Sequence, residues 1–279
     1  MYFTYMLKRI NLVVNIERMK HMKIEDVKKQ ITTPLGAPAY PKGPYFFHNR
    51  EYLNIVYRTD RETLRKIVPE PLEIEEPLVK FEIMYMPDVT GLGAYTECGQ
   101  VIPVNFNGEK GEYLHSMYVD NHPAIAVGRE ASAYPKKLGA PKLFIDSDTL
   151  VGTLDYGSLR VANATMGYKH QTMDMRIARE ELTRPTFMLK IVPDFDGKPK
   201  VCQLLKTEIS DLTIHGAWTG PARLQLFEHA LAPLADLPVR EIVHVSHILT
   251  DLTLAAPSLV YDYLAKENAG EKEAASINK

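Results

Sequence analysis

The sequence predicts a mainly β protein: an antiparallel, barrel-like sheet with a few short helices at its periphery. Two patterns lead there. A long series of short strand-like stretches runs through the chain, the first, "YLNIVYRTD", alternating apolar and polar residues, and turns rich in Gly and Asp, short enough for hairpins, fall inside two of them. Sequential hairpins imply antiparallel pairing, because parallel neighbours need crossovers of about a dozen residues or more. A long antiparallel series leaves two bare edges unless it closes on itself, so a closed or nearly closed barrel is the expected form.

The elements follow in order. Residues 1–21 place Lys8, Arg9, Arg18 and Lys20 around a short apolar patch without a small-residue cleavage site. They read as an N-terminal extension, disordered or a misassigned start, and not as a secretory signal; Met22 opens the natural chain. Pro34, Pro38, Pro41, Pro44 and, further on, Pro69 forbid a continuous helix up to about residue 50, leaving an extended arm. In "YLNIVYRTD", Leu53, Ile55 and Tyr57 alternate with Asn54 and Arg58, a strand. Asp60 then caps a short helix in "RETLRKIV", with Leu64, Ile67 and Val68 at helical spacing before Pro69.

Strands dominate from there: "LVKFEIMYM", "AYTECGQVIPVNF", "EYLHSMYV", "AIAVGRE", "DTLVGTLDYGSLRVANATMGY", "TFMLKIVPDFDGKPKVCQLLKTEIS", "IHGAWTG", "ARLQLF" and "EIVHVSHILTDLTL". Turns at Asp155-Tyr156-Gly157 and Asp194-Phe195-Asp196-Gly197 fold two of them into hairpins. "MDMRIAREEL" and "PSLVYDYLAKENA" read as helices. No repeat or linker interrupts residues 22–265, which read as a single domain. Residues 266–279 are charged and small, a frayed tail.

Composition narrows the function. The 279 residues carry 33 basic and 35 acidic side chains, a net charge of −2, so no global field draws nucleic acid or an anionic membrane. The partner is a small molecule or another copy of the chain. Cys98 and Cys202 are far apart without a CxxC, which fits a reducing cytoplasm and not a disulfide framework. No apolar run of about eighteen residues exists to form a transmembrane helix.

Several motifs are missing: GxSxG, GxxxxGK[ST] and GxGxxG, the last approached by "GLGAYTECG". Asp146 and Asp148 in "DSDTL" faintly resemble an aspartate phosphotransferase motif but lack a parallel βαβ setting. His244 and His247 in "HVSH", three apart on a strand, point to opposite faces and cannot chelate one ion.

The stretch "SAYPKKLG" sets Lys136 and Lys137 side by side in an apolar neighbourhood. Two lysines on a loop are ordinarily a solvated pair. A lysine that attacks a carbonyl is a different object: free lysine has a pKa of ~10.4 and is almost wholly protonated at neutral pH. An apolar pocket or a neighbouring cation can bring that down by ~3–5 pH units.

The stretches "NREYLNIVYRTD", "FEIMYM", "GLGAYTECGQVIPVNFNGEKGEYLHSMYVDN", "PAIAVGREASAYPKKLGAPKLF", "DSDTLVGTLDYG" and "GAWTGPARLQLFEHALAPLADLPVREIV", in this order, resemble the acetoacetate decarboxylase family over nearly the whole chain after Met22. That family is itself the standard example of a lysine activated in this way. The resemblance implies that Lys136 forms a Schiff base with acetoacetate, which loses CO2 to give an enamine and then acetone. It implies Arg50, Glu82 and Glu97 as polar site residues. Arg50 would position the substrate carboxylate, or hold Glu97 in a bidentate pair; Glu97 would carry protons. Lys137 would be the neighbouring cation. If residues 133–138 are extended, however, Lys137 leaves the pocket that Lys136 enters, and burial acts on Lys136 instead.

Phe46, Phe47, Met84, Tyr113 and Met117 are candidate apolar walls, core residues by default. The resemblance further implies no metal or organic cofactor, a β-keto acid as partner, and a large homo-oligomer. Two other readings remain open: another Schiff-base reaction of a keto acid, such as aldol condensation with dehydration, and a non-catalytic carrier of small ligands.

Overall fold

A computed structural model describes residues 22–265, so the expected extension (1–21) and frayed tail (266–279) lie outside the described residues. The described residues before Tyr40, 22–39, belong to a unit of their own, in which helix α1 (Ile24–Val27) buries none of its residues.

The larger unit starts at Tyr40. Its strands are β1 (Phe46–Arg58), β2 (Glu73–Ile74), β3 (Leu78–Val89), β4 (Gly93–Phe106), β5 (Glu109–Val119), β6 (Lys136–Leu138), β7 (Ala140–Asp146) and β8 (Thr149–Tyr156). They continue with β9 (Leu159–Gly167), β10 (Gln171–Thr172), β11 (Thr186–Pro193), β12 (Pro199–Thr207), β13 (Ile209–Thr219), β14 (Ala222–Leu226), β15 (Glu241–Leu254) and β16 (Ser258–Asp262). Three helices interrupt them: α2 (Arg61–Ile67), α3 (His122–Glu130) and α4 (Met175–Leu182).

Twelve strands make one sheet in the order β10-β13-β15-β1-β3-β4-β5-β11-β12-β16, with β2 on β4 and β6 on β5; β14-β9-β8-β7 make a second. The class is mainly β, as expected, but the sheets do not close into a barrel. The large sheet instead ends on the short strands β10 and β16, and short edge strands leave little unpaired backbone. The smaller sheet covers one apolar face of the large one. At Gly152 in β8 the two come so close that a Cβ would lie 2.8 Å from Ile83 Cγ2.

Two local readings are corrected. "AIAVGRE" is helical, within α3: Asn121 accepts from Ala124 N at 2.9 Å and Pro123 stands in the first turn, both helix-start features that the apolar run masks. "PSLVYDYLAKENA" supplies β16, whose Leu259 and Tyr261 pair with Leu205 and Leu204 of β12. Pro257 precedes a short run of strand-forming residues there, and tertiary pairing decides. α3 also allows the parallel pairing of β6 with β5, because it forms the crossover between them.

Other elements are as expected. The hairpins β8–β9 and β11–β12 turn at Gly157 (φ 63°) and Gly197 (φ 83°), left-handed conformations that glycine adopts without a Cβ clash. Asp60 occupies the N-cap position of α2, but its carboxylate accepts from Arg240 Nη2 at 2.8 Å and makes no cap bond.

The period of two determines where the site lies. In β1, Leu53, Ile55 and Tyr57 face the apolar core shared with the second sheet; in β3, Val79, Phe81 and Ile83 do the same. The residues between them, Tyr52, Asn54, Lys80, Glu82 and Met84, therefore point to the opposite face, where they line a cavity.

Candidate active site

Lys136 opens the three-residue strand β6, opposite Met117 of β5, with Lys137 opposite Tyr118. Adjacent strand residues face opposite ways, and the two lysines separate accordingly. Lys136 is 7% exposed, and its Nζ forms an ion pair with Glu97 Oε1. The same Nζ lies 5.2 Å from the ring centroid of Tyr134 and 5.8 Å from that of Tyr95. Lys137 is exposed; its Nζ donates to the Leu231 carbonyl and stands 5.0 Å from the Tyr156 ring centroid.

Helix α3 backs the Lys136 side chain. A Cβ on Gly128 would lie 2.6 Å from Lys136 Cδ, so only a glycine lets the stem run against the helix there. Arg129 Nη1 donates to the Lys136 carbonyl at 3.2 Å and ties the same helix to β6.

Glu97 is buried on β4, opposite Met84 of β3. Arg50 follows a register irregularity between Phe47 and Arg50 in the β1–β15 pairing, with Asn49 at φ 54°. The guanidinium is buried 4.7 Å from the Tyr52 ring centroid and 5.1 Å from that of Phe47, and Nη2 meets Met84 Sδ at 2.7 Å. The bidentate Arg50–Glu97 pair is not formed: Glu97 is taken by Lys136 and Arg50 by Met84. Burial pulls the Arg50 pKa down, but Tyr52, Glu97, Tyr95 and Glu82 outweigh it and the net shift is upward, so Arg50 stays charged. Arg50 Nε is buried without a hydrogen-bond partner.

Glu82, on β3, has its carboxylate 3.6 Å from Lys80 Nζ, and Lys80 pairs more closely with Glu112. Burial pushes the Glu82 pKa up, against the opposing charge of Lys80. Burial likewise raises the Tyr95 and Tyr134 hydroxyls, which remain protonated.

These groups line a narrow inner cavity of about 90 Å3 that contains Arg50, Glu82, Glu97 and Lys136, with Phe47, Met84 and Met117 among its walls. A wider mouth of about 360 Å3, lined chiefly by apolar residues such as Pro44, Leu92, Val127 and Pro257, also reaches Lys136. Lys136 thus stands where the two meet. Of the five candidate wall residues, Tyr113 belongs to the apolar core, and Phe46, 43% exposed, is not a core residue.

The structure therefore brings Lys136, Glu97, Arg50 and Glu82 together and leaves Lys137 outside. It adds Tyr95, Tyr134 and Gly128 around the lysine, and Lys80, Glu112 and Glu181 deeper in the same cavity. Lys80 and Glu82 had a signal in "LVKFEIMYM", since charges at one parity of an apolar strand mark a second buried face. Gly128 had none, because its packing against Lys136 depends on how α3 turns back onto β6 and not on any pattern within either element. Among the described residues, no group of three or more His, Cys, Asp or Glu side chains is placed to hold a metal ion. His244 and His247 are separated, on Glu181 and Glu51 respectively.

The profile of the family described as acetoacetate decarboxylase (ADC) matches residues 31–264. The chain belongs to the acetoacetate decarboxylase family. An acetoacetate decarboxylase of Clostridium botulinum (strain Eklund 17B / Type B) is 70% identical over 242 residues, which cover 86% of this chain and 98% of that one. A solved acetoacetate decarboxylase structure at 67% identity superposes with a TM-score of 0.86 over 87% of this chain and 100% of its own. That of Legionella pneumophila subsp. pneumophila str. Philadelphia 1, 49% identical, gives a TM-score of 0.83 over 88% and 98%. The acetoacetate decarboxylase match spans every site residue named above, from Arg50 to Glu181. No helix among the described residues is long and apolar enough to cross a membrane.

Proposed function

We propose that this carboxy-lyase of the acetoacetate decarboxylase family works through a Schiff base on Lys136, converting acetoacetate to acetone and CO2. The observation that carries the reading is the buried ion pair of Lys136 with Glu97 at the meeting of an apolar mouth and a charged cavity. A carboxylate on the ammonium can take the proton that Lys136 must lose before its amine attacks the ketone. The same proton then leaves with the carbinolamine hydroxyl as water. The iminium that results accepts the electron pair of the breaking C–C bond as an enamine, which Glu97 protonates at carbon after taking up a proton from solvent; water hydrolyses the product iminium and leaves Lys136 as the ammonium.

Arg50, which lines the cavity as a buried cation, is the receiving group for the substrate carboxylate. A tight grip would stabilise the ground state that decarboxylation must leave, so Arg50 positions and steers, and does not accelerate the bond cleavage itself. The departing CO2 meets the apolar side chains of Phe47, Met84 and Met117. Lys137, anchored on Leu231 across the strand, is a structural neighbour in this scheme.

A large homo-oligomer in a reducing cytoplasm is part of the same reading; exposed apolar side chains such as Phe144, Ile145 and Ile191 support the oligomer, and native mass measurement tests it.

Borohydride reduction in the presence of acetoacetate, followed by peptide mapping and product analysis, tests the chemistry. The expected result is a label on Lys136 and release of acetone and CO2. An aldol-type enzyme would be labelled without releasing CO2 from acetoacetate, a carrier would not be labelled, and either result overturns the proposal.

A further inference from the structure

The proposed reaction consumes a proton. In the acetoacetate anion the C–C bond breaks and its electron pair enters the enamine; the new C–H bond of acetone needs a proton that the substrate does not bring. Each turnover therefore takes one proton from bulk water, and that proton must reach a buried carboxylate. Among its described lining residues the apolar mouth holds no carboxylate or imidazole.

The inner cavity does. Its far wall includes Glu181, on α4, which accepts from Asn54 Nδ2 at 2.8 Å and Ser246 Oγ at 2.8 Å and meets His244 Nε2 at 3.3 Å. The His244 side chain is 37% exposed, so this end touches solvent. Asn54 is 1% exposed, lines the cavity, and its Oδ1 has no hydrogen-bond partner. The strand register sets these groups in a row: Ser246 of β15 opposite Asn54 of β1, Asn54 opposite Glu82 of β3, and Glu82 opposite Gly99 of β4. Glu97 is the diagonal neighbour of Glu82, a separation that two long carboxyl side chains can span.

We propose that this row, His244, Glu181, Asn54, Glu82 and Glu97, is the proton inlet of the enzyme, entering from the side opposite the substrate mouth. The inference rests on the Schiff-base reading. A proton is taken from water at His244 and Glu181, crosses to Glu82 on water admitted to the cavity beside Asn54, whose amide orients that water without itself being protonated, and ends on Glu97 and then on the enamine carbon. Lys80, between Glu82 and Glu112, fixes the inner carboxyl in place. The carboxyls are ordered for inward transfer: for Glu181, burial is outweighed by His244, Lys80 and Ser246 and the net shift is downward, whereas burial raises Glu82, so a proton rests on the inner group.

Glu181→Gln and His244→Ala in the full chain test the inlet. Three rates are read: borohydride trapping at Lys136, acetone formation, and deuterium incorporation into acetone in D2O followed by NMR. The expected result is trapping within about twofold of the parent, with acetone formation and deuterium incorporation about tenfold slower or more. Glu181→Asp is expected to recover much of the exchange, and added imidazole to recover part of it in His244→Ala. Exchange within twofold of the parent in both variants overturns the inlet, and so does a parallel fall of trapping and exchange, which marks a structural role. Absence of trapping in the parent counts against the Schiff base itself, so the two failures are distinct.

Discussion

Gly128 is the position where the smallest chemical change is expected to act most selectively on turnover. In Gly128→Ala the new Cβ would meet Lys136 Cδ at 2.6 Å, Cε at 2.9 Å and Nζ at 3.4 Å. Carbon atoms in contact prefer ~3.5–4.0 Å, so the lysine stem must withdraw by about 1 Å. It can, because it is the far end of a flexible side chain, and helix α3 need not move. Overpacking costs roughly 1–3 kcal/mol when the core resists, but here the stem gives way and alanine adds about 1 kcal/mol of helix propensity. Thermal stability is therefore expected to change little. Catalysis does not share that tolerance: Nζ would leave its place on Glu97, and a displacement of about 1 Å at the reacting atom costs on the order of 100-fold, or about 2.7 kcal/mol of barrier. Steady-state acetone formation and a melting curve on the same sample decide the matter. A variant that keeps turnover within threefold of the parent would refute the claim that α3 positions the nucleophile.

Two further outcomes follow from the same geometry. Lys137→Ala is expected to remain labelled at Lys136 in the trapping assay and to lose about 1–2 kcal/mol of stability with the Leu231 hydrogen bond and the Tyr156 contact, whereas Lys137→Arg keeps both; loss of labelling at Lys136 would return Lys137 to the chemistry. For Glu82, burial raises the native pKa above the unfolded one, so the group contributes stability that is fully present below the ordinary carboxylate range and is lost as pH rises through the native value. Glu82→Gln cannot ionise, so chemical denaturation over a pH series should show the variant gaining on the parent across that window; a difference independent of pH contradicts the assignment.

Much of this molecule is legible in its sequence where a local pattern has one physical meaning. The alternation in "EIVHVSHILTDLTL" matches β15 from Glu241 to Leu254, and both Gly-containing turns produce their hairpins. Pattern reading fails where a short apolar run suits two structures. Residues 124–127 carry no period that separates helix from strand, and the decisive Asn121 cap lies just outside the run. The closed barrel fails for another reason: hairpin counting says that edges need protection but not how, and here short end strands and a second sheet supply it. At the site, Lys136, Glu97, Arg50 and Glu82 came from resemblance and converge in one cavity, while opposite faces for Lys136 and Lys137 followed from strand geometry alone. Gly128 and Glu181 meet the site through tertiary packing, which leaves no mark in a linear pattern.

The alternation within β3 separates two inheritances along one strand. Val79, Phe81 and Ile83 belong to the packing that makes the protein fold; Lys80, Glu82 and Met84 belong to the chamber where the chemistry happens. A substitution at Lys80, Glu82 or Met84 alters the chamber and leaves Val79, Phe81 and Ile83 in place. The two sides of one strand thus answer to different demands: apolar contact on one, and on the other a balance of buried charges, since losing Lys80 would leave the Glu82 and Glu112 carboxylates without their cation.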